Sequence, residues 1–205
     1  MDTELTPELL LRAYAMGVFP MADDREGGAI YWYAPDPRAI LPLDGFRASK
    51  NLMKVVRRQR FEVVTDRDFE GVMRACSDRP ATWISDEIVE AYTALHRFGF
   101  AHSVECWLDG ELAGGLYGVA LGGAFFGESM FHRVRDASKV ALVHLVEALR
   151  RLGYTLLDTQ FTTSHLAQFG VIEIPRDAYE ERLKQALRIR PKPWTTQIYA
   201  NGTYS

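Results

Sequence analysis

Asp158 and Gln160 close the run Leu156-Leu157-Asp158-Thr159-Gln160, and they are the first candidates for chemistry in this chain of 205 residues. At i and i+2 near the end of a strand, both side chains point to one face. Either Asp158 caps the helix that follows and Gln160 is solvated, or the pair faces a ligand, as strand ends beside crossover helices often do. Glu128 sits in 122–131, a stretch otherwise made of Gly, Ala, Phe, Met and Ser. A carboxylate there loses hydration unless it is paired or faces a cleft; Arg133 or Arg135 is the candidate partner. Gly127-Glu128-Ser129-Met130-Phe131 invites comparison with a nucleophile elbow, but Phe131 stands where the tight turn needs its second Gly. A serine hydrolase is therefore an outside alternative. The five histidines include no His-Glu-x-x-His and no ligand cluster at metal spacing, so no catalytic metal is expected. Lys50, Lys54, Arg57 and Arg58 recur at i, i+4, i+7 and i+8, on one helix face. Such a stripe is either a solvated face or a surface for phosphates.

The elements needed to position these groups are legible in the pattern. Thr6-Pro7 starts a helix that carries Leu10, Ala13 and Tyr14 on one face and ends at Gly17. Three prolines in 31–43 predict extended chain with turns and no central strand. A helix over 49–58 follows, then a strand over 61–64 and a helix with Phe69, Val72, Met73 and Cys76 inward. A further helix runs from about Ser85 to Gly99. Strands over 103–108, 111–120 and 124–131, joined at Asp109-Gly110 and Gly122-Gly123, form an antiparallel meander. Asp136 is placed to cap a buried helix over 137–152. A strand over 155–158, a short helix over 164–169 and a strand over 171–174 complete a mixed sheet with helices on it, an α/β (α+β) fold. The expected units are a small N-terminal subdomain over 1–60, a main domain over 61–187 and a polar tail over 188–205, expected to be mobile after Leu187.

Composition narrows the class. Apolar residues at 47% and charged residues at 25% suit an ordinary globular protein. Cys76 and Cys106, with no Cys-x-x-Cys pair, suit a reducing cytosol, and the acidic start Met1-Asp2-Thr3-Glu4 is unlike a secretory signal. No apolar run approaches the ~20 residues of a membrane span. A net charge of −3 argues against indiscriminate nucleic-acid binding, so local clusters must carry any such contact.

Several stretches, in order over 10–183, resemble the leucyl/phenylalanyl-tRNA protein transferase family. They are Ala13-Tyr14-x-x-Gly17-x-Phe19-Pro20, Pro35-Asp36-Pro37-Arg38, Thr82-Trp83-Ile84, Ala101-His102-Ser103-Val104-Glu105 and Gly114-Gly115-Leu116-Tyr117-Gly118-Val119. Further on come Gly127-Glu128-Ser129-Met130-Phe131, Ala137-Ser138-Lys139, Asp158-x-Gln160 and Ile174-Pro175-Arg176. The resemblance implies an acetyltransferase-like (GNAT-like) domain behind a small N-terminal unit. It also implies transfer of Leu or Phe, sometimes Met, from aminoacyl-tRNA to the α-amino group of proteins beginning with Arg or Lys, which marks them for degradation. By the same resemblance Asp158 and Gln160 match a proposed catalytic pair and Glu128 an active-site carboxylate. Trp83 matches an aromatic on the terminal adenosine, and Leu116, Phe125, Met130, Leu145 and Leu149 match positions at or near the side-chain pocket. Lys50, Lys54, Arg57 and Arg58 match acceptor-stem contacts. No glycine stands at 133–138, where a coenzyme A loop would fall, which disfavours an acetyl-CoA donor. Two positions depart from many members: Met21 replaces a Trp near the adenine, and Thr159 replaces a Cys.

Aminolysis of an ester needs neither cofactor nor metal, so positioning is expected to dominate, with near-attack geometry supplying up to roughly 7–11 kcal/mol. Gln160, too weakly basic to take a full proton, is expected to orient the amine. Asp158 would hold and polarise it or take the proton through water, and Glu128 would meet the cationic N-terminal residue. A cytoplasmic monomer is expected. A small-molecule acyltransferase and an RNA-binding module are the rival classes.

Overall fold

The computed structural model describes residues 5–23 and 29–194, so the acidic start and the tail past 194 lie outside the described residues. Helix α1 (Pro7–Ala15) begins where Thr6 Oγ1 accepts the Leu9 N–H at 3.2 Å, and strands β1 (Phe19–Ala22) and β2 (Ile30–Tyr33) form a separate antiparallel pair. The main sheet has seven strands: β3 (Arg38–Ile40), β4 (Glu62–Thr65), β5 (Ala101–Leu108), β6 (Glu111–Leu121), β7 (Ala124–His132), β8 (Leu156–Gln160) and β9 (Ile172–Ile174). Their spatial order is β4-β5-β6-β7-β8-β3-β9, antiparallel throughout except for the parallel pair β7·β8. Among the described residues six further helices occur: α2 (Lys50–Arg57), α3 (Phe69–Ser77), α4 (Asp86–Arg97), α5 (Ala137–Leu152), α6 (Ser164–Ala167) and α7 (Arg176–Ala186).

Alternation along the strands gives the sheet two buried faces. Phe126, Leu156 and Tyr117 pack with residues of α1, α3, α4 and α7, whereas Phe125, Leu157 and Leu116 pack with α2 and α5. Twelve of the sixteen residues of α5 are buried, as its nearly uniform apolar sequence requires. Gly118 is needed where β6 passes under the ring of Phe125, because a Cβ there would come within 2.5 Å of that ring and 2.2 Å of the Phe126 carbonyl oxygen.

Three expectations need correction. The segment 31–43 does supply an interior strand. β3 is only three residues long and sits between β8 and β9; its flanking prolines stay outside the ladder, and so do not interrupt it. The first sixty residues thereby contribute to the main sheet. Asp136 occupies the N-cap position of α5 in the left-handed region (φ 72°), but its side chain makes no capping bond. The tail after Leu187 is docked as far as Trp194. Lys192 N–H donates to the Leu152 carbonyl at 2.9 Å, and the Trp194 indole donates to Tyr154 and stacks on His102.

Candidate active site

The parallel pairing of β7 with β8 ends at Phe126 and Asp158, while β7 runs on to His132 and β8 to Gln160. Beyond that point the strands part, and a cleft of about 430 Å³ opens between them. Its lining joins the apolar side chains of Leu116, Met130, Leu142, Leu145 and Leu157, which belong to one packed cluster, and the polar side chains of Glu128, Ser129, Thr159 and Gln160, with Arg79 and Trp83 on the α3–α4 loop. Glu128 is the extra residue of a β-bulge, because Gly127 pairs with Gly118 and Ser129 with Tyr117. Bulges turn a side chain away from regular alternation, and this one places the carboxyl in the cleft.

Asp158 lies on the closed side. It is 0% exposed and accepts four hydrogen bonds: from Arg38 Nε at 3.0 Å and Nη2 at 2.7 Å, from the Gln160 N–H at 2.9 Å and from the Tyr179 hydroxyl at 2.6 Å. Arg38, 1% exposed, also donates from Nη1 to the Gly17 carbonyl at 2.9 Å and lies over the rings of Phe19 and Tyr179. A buried, two-pronged pair of this kind offsets the cost of dehydrating both ions only when the remaining donors and acceptors are filled, as they are here. Gly17, at φ 75°, is held so close to Tyr179 that a Cβ would come within 2.9 Å of the ring.

Gln160 adopts φ 58°, a conformation that is strained for a residue with a Cβ and persists only where its surroundings fix it. Its N–H is fixed by Asp158, and its Nε2 donates to Glu128 Oε1 at 3.4 Å. The same oxygen accepts from the Tyr14 hydroxyl at 2.7 Å, and Tyr14 is bonded in turn to the Tyr92 hydroxyl. Burial drives the Glu128 pKa up to about 8; the Tyr14 hydrogen bond and Arg38 oppose the rise, and the neighbouring Asp158 adds to it.

The profile of the leucyl/phenylalanyl-tRNA protein transferase family matches residues 40–184, and that of its N-terminal domain matches residues 3–36. The chain belongs to this family. A leucyl/phenylalanyl-tRNA–protein transferase of Salinibacter ruber is 60% identical over 95% of this chain and 85% of its own. One of Gloeobacter violaceus is 62% identical over 90% and 95% respectively. The L-PGS structure from Bacillus licheniformis, at 16% identity and a TM-score of 0.42, covers 73% of this chain and 56% of that one; this weak likeness decides nothing about the site. As a member of the leucyl/phenylalanyl-tRNA protein transferase family, the chain is an aminoacyltransferase.

Within this transferase, Glu128, Gln160, Trp83, Leu116, Met130 and Leu145 line the cleft together. Asp158 stands behind it. Phe125 and Leu149 are fully buried outside its lining, and Phe125 is backed by Trp194 at 5.7 Å between ring centres. Arg133 and Arg135 do not pair with Glu128: Arg133 donates to the Leu112 carbonyl, and Arg135 lies 3.8 Å from Asp136. Lys50, Lys54, Arg57 and Arg58 are all exposed on α2 and its C-cap, with Leu52 and Val56 turned inward. The Ala22 N–H donates to the Trp83 carbonyl at 3.1 Å, which ties the segment carrying Met21 to the cleft. Sequence reasoning gave no site role to Arg38, Tyr14, Tyr92 or Tyr179. Arg38 and Tyr14 do lie inside the quoted motifs, and an arginine in a proline-bracketed segment was the available signal.

Proposed function

We propose that this cleft moves Leu or Phe, and also Met, from aminoacyl-tRNA to the α-amino group of proteins beginning with Arg or Lys, marking them for degradation. The observation that carries this reading is the mixed lining of the cleft, which holds leucines and a methionine together with a carboxyl and an amide. Burying a Leu or Phe side chain against Leu116, Met130, Leu142 and Leu145 supplies roughly 1.5–3 kcal/mol, and a β-branched side chain is rejected by shape. Trp83 meets the terminal adenosine, and the α2 stripe meets the acceptor stem.

The reaction joins the acceptor nitrogen to the acyl carbon and releases the ribose oxygen, so it calls for placement more than for a nucleophile. Gln160 uses its amide oxygen to aim the amine. Asp158, whose oxygens are all engaged, is a positioning residue that holds Gln160 by its backbone. Glu128 receives the cationic end of the acceptor. In this reading Phe125 and Leu149 support the chamber walls from behind. In place of the expected boundary at residue 60, the small N-terminal unit in this reading ends near residue 36, which is supported by one family profile stopping there before the other begins at 40 and by β3 already pairing in the main sheet. The protein works as a cytoplasmic monomer; among the described residues no helix is long and apolar enough to cross a membrane.

Incubation with labelled Leu-tRNA and an Arg-initiated peptide should place label at the peptide N-terminus; a peptide that stays unlabelled removes the reading. Replacing Lys54 and Arg57 by Ala should weaken tRNA binding and flatten its log–log salt dependence by about 1.5, at roughly 0.7–0.9 per lost phosphate contact. An unchanged salt slope would make the stripe a solvated face.

A further inference from the structure

An α-amino group titrates near ~7.7–8.0, so at neutral pH most of the acceptor arrives as an ammonium, which has no lone pair with which to attack. Some group must take its proton. Asp158 is closed off by Arg38, Tyr179 and the Gln160 N–H. The Gln160 amide is a donor toward Glu128 and far too weak a base. His132 and His165 also line the cleft, but among the described residues neither ring is hydrogen-bonded to Glu128 or Gln160, and burial, followed by the charges of Lys139 and His132, lowers the proton affinity of His165.

Glu128 differs in geometry from all of these. The bulge turns it into the cleft, and its Oε1 is held by Tyr14 and Gln160. Its Oε2 has no protein partner among the described residues. The hydroxyl order is also fixed: Tyr14 gives its one proton to Glu128, so Tyr92 must donate to Tyr14. Both protons therefore point toward the carboxyl. Burial raises both tyrosines well above their ordinary range, and they remain donors at working pH.

We infer that Glu128 is the proton acceptor of the transfer: its free oxygen takes a proton from the acceptor α-ammonium, and Gln160 beside it holds the resulting amine. This rests on the function proposed above. The neutral amine attacks the ester carbonyl, the N–C bond forms, and the second proton on that nitrogen passes to the ribose oxygen as the C–O bond breaks. The amide and a free ribose hydroxyl leave, and Glu128 releases its proton to solvent before the next turnover. The groups that face Glu128 are Tyr14 on α1, Tyr92 on α4, Tyr117 on β6, Asp158 and Gln160 on β8, Arg38 on β3 and Tyr179 on α7. Burial and Asp158 strengthen its hold on a proton while Tyr14 and Arg38 weaken it, so that with a pKa of about 8 it lies close to the amine it must deprotonate; at neutral pH the ionised fraction of Glu128 is the working form, and the rate of the unmodified protein rises toward pH 8 as that fraction grows.

The test compares Glu128→Gln with the unmodified protein, using Leu-tRNA and an Arg-initiated peptide, across pH. The variant should lose about 100-fold in kcat/KM near pH 6.5. Near pH 9 the deficit should shrink at least about tenfold, because most of the acceptor is by then a neutral amine without help. A deficit that is the same at both pH values overturns the inference, since Glu128 would then act only by pairing with the Arg side chain, whose charge is constant over this range, and would take no proton. No deficit overturns it as well. A second variant, Tyr14→Phe, should move the midpoint of the pH–rate profile upward by about one unit, through loss of a hydrogen bond to the charged form; a superimposable profile counts against the inference. If the unmodified protein transfers no label, the proposed function itself fails. If it does transfer and only the pH behaviour is absent, the inference alone fails.

Discussion

Asp158 and Glu128 stand on neighbouring strands, one on each side of the point where β7 and β8 part, and their carboxyls meet opposite surroundings. Asp158 has an arginine, a tyrosine and a backbone N–H on its two oxygens and no exposure. Among the described residues Glu128 has donors on one oxygen only and no cation in contact, and a cleft lies in front of it. The same functional group is thus spent in one place on fixing the backbone of Gln160 and kept available in the other. The bulge at Glu128 and the parting of the strands create the difference, since regular pairing would have closed both.

The sharpest way to break this contrast is to remove one half of the sealed pair. Arg38→Ala should destabilise the fold by about 3–5 kcal/mol, because Asp158 is left as an unpaired buried charge. In thermal denaturation that is a fall of about 10 °C for a chain of this size. A loss under about 1 kcal/mol would mean that water replaces Arg38 and that Asp158 is not sealed. Tyr179→Phe keeps the ring against Arg38 and deletes one donor to a charged acceptor. It should cost about 1.5–3 kcal/mol and lower transfer in step with the loosening of Gln160. The smallest effect has the opposite sign. The folded protein holds the Glu128 proton up to about pH 8, whereas the unfolded chain releases it near ~4.3. Stability therefore falls as pH rises through that window and levels off above it. Glu128→Gln should escape this fall and exceed the unmodified protein on the order of 1 kcal/mol above pH 8, read by urea denaturation at several pH values. Loss of stability in the variant at every pH would place Glu128 among the structural carboxyls with Asp158.

Much of the frame was legible because local chemistry decides it. Thr6, Ser49 and Ser85 each accept an N–H from the third residue of their helices, as their positions predict. Asp109-Gly110 turns with positive φ at both residues, and the apolar length of α5 required burial. Spacing alone leaves Glu128 and Gln160 open between a ligand-facing role and an ordinary structural one; the resemblance picks them out together with Trp83, Leu116, Met130 and Leu145, and these six line one cleft. What stayed hidden depends on distant partners. A three-residue strand between prolines leaves no periodicity to read, and a buried Arg38 is meaningful only once Asp158 lies beside it. A bulge adds one residue to one strand, and Gly127-Glu128-Ser129 carries no mark of it. Trp194 looked like part of a polar tail because His102 and Tyr154, which hold it, lie far away in sequence.

β3 also bears on how the chain can be made. Arg38 leaves the ribosome 120 residues before Asp158, and the strands on both sides of β3 are synthesised only after that long interval. Until then the segment has no place to put its guanidinium, and a growing chain must keep Arg38 in water while the meander and α5 assemble. Closing the sheet is thus a late step with a large loop to gather, the kind of contact that slows folding. A chain interrupted before Asp158 would have neither the β3 slot nor the carboxylate that Arg38 needs.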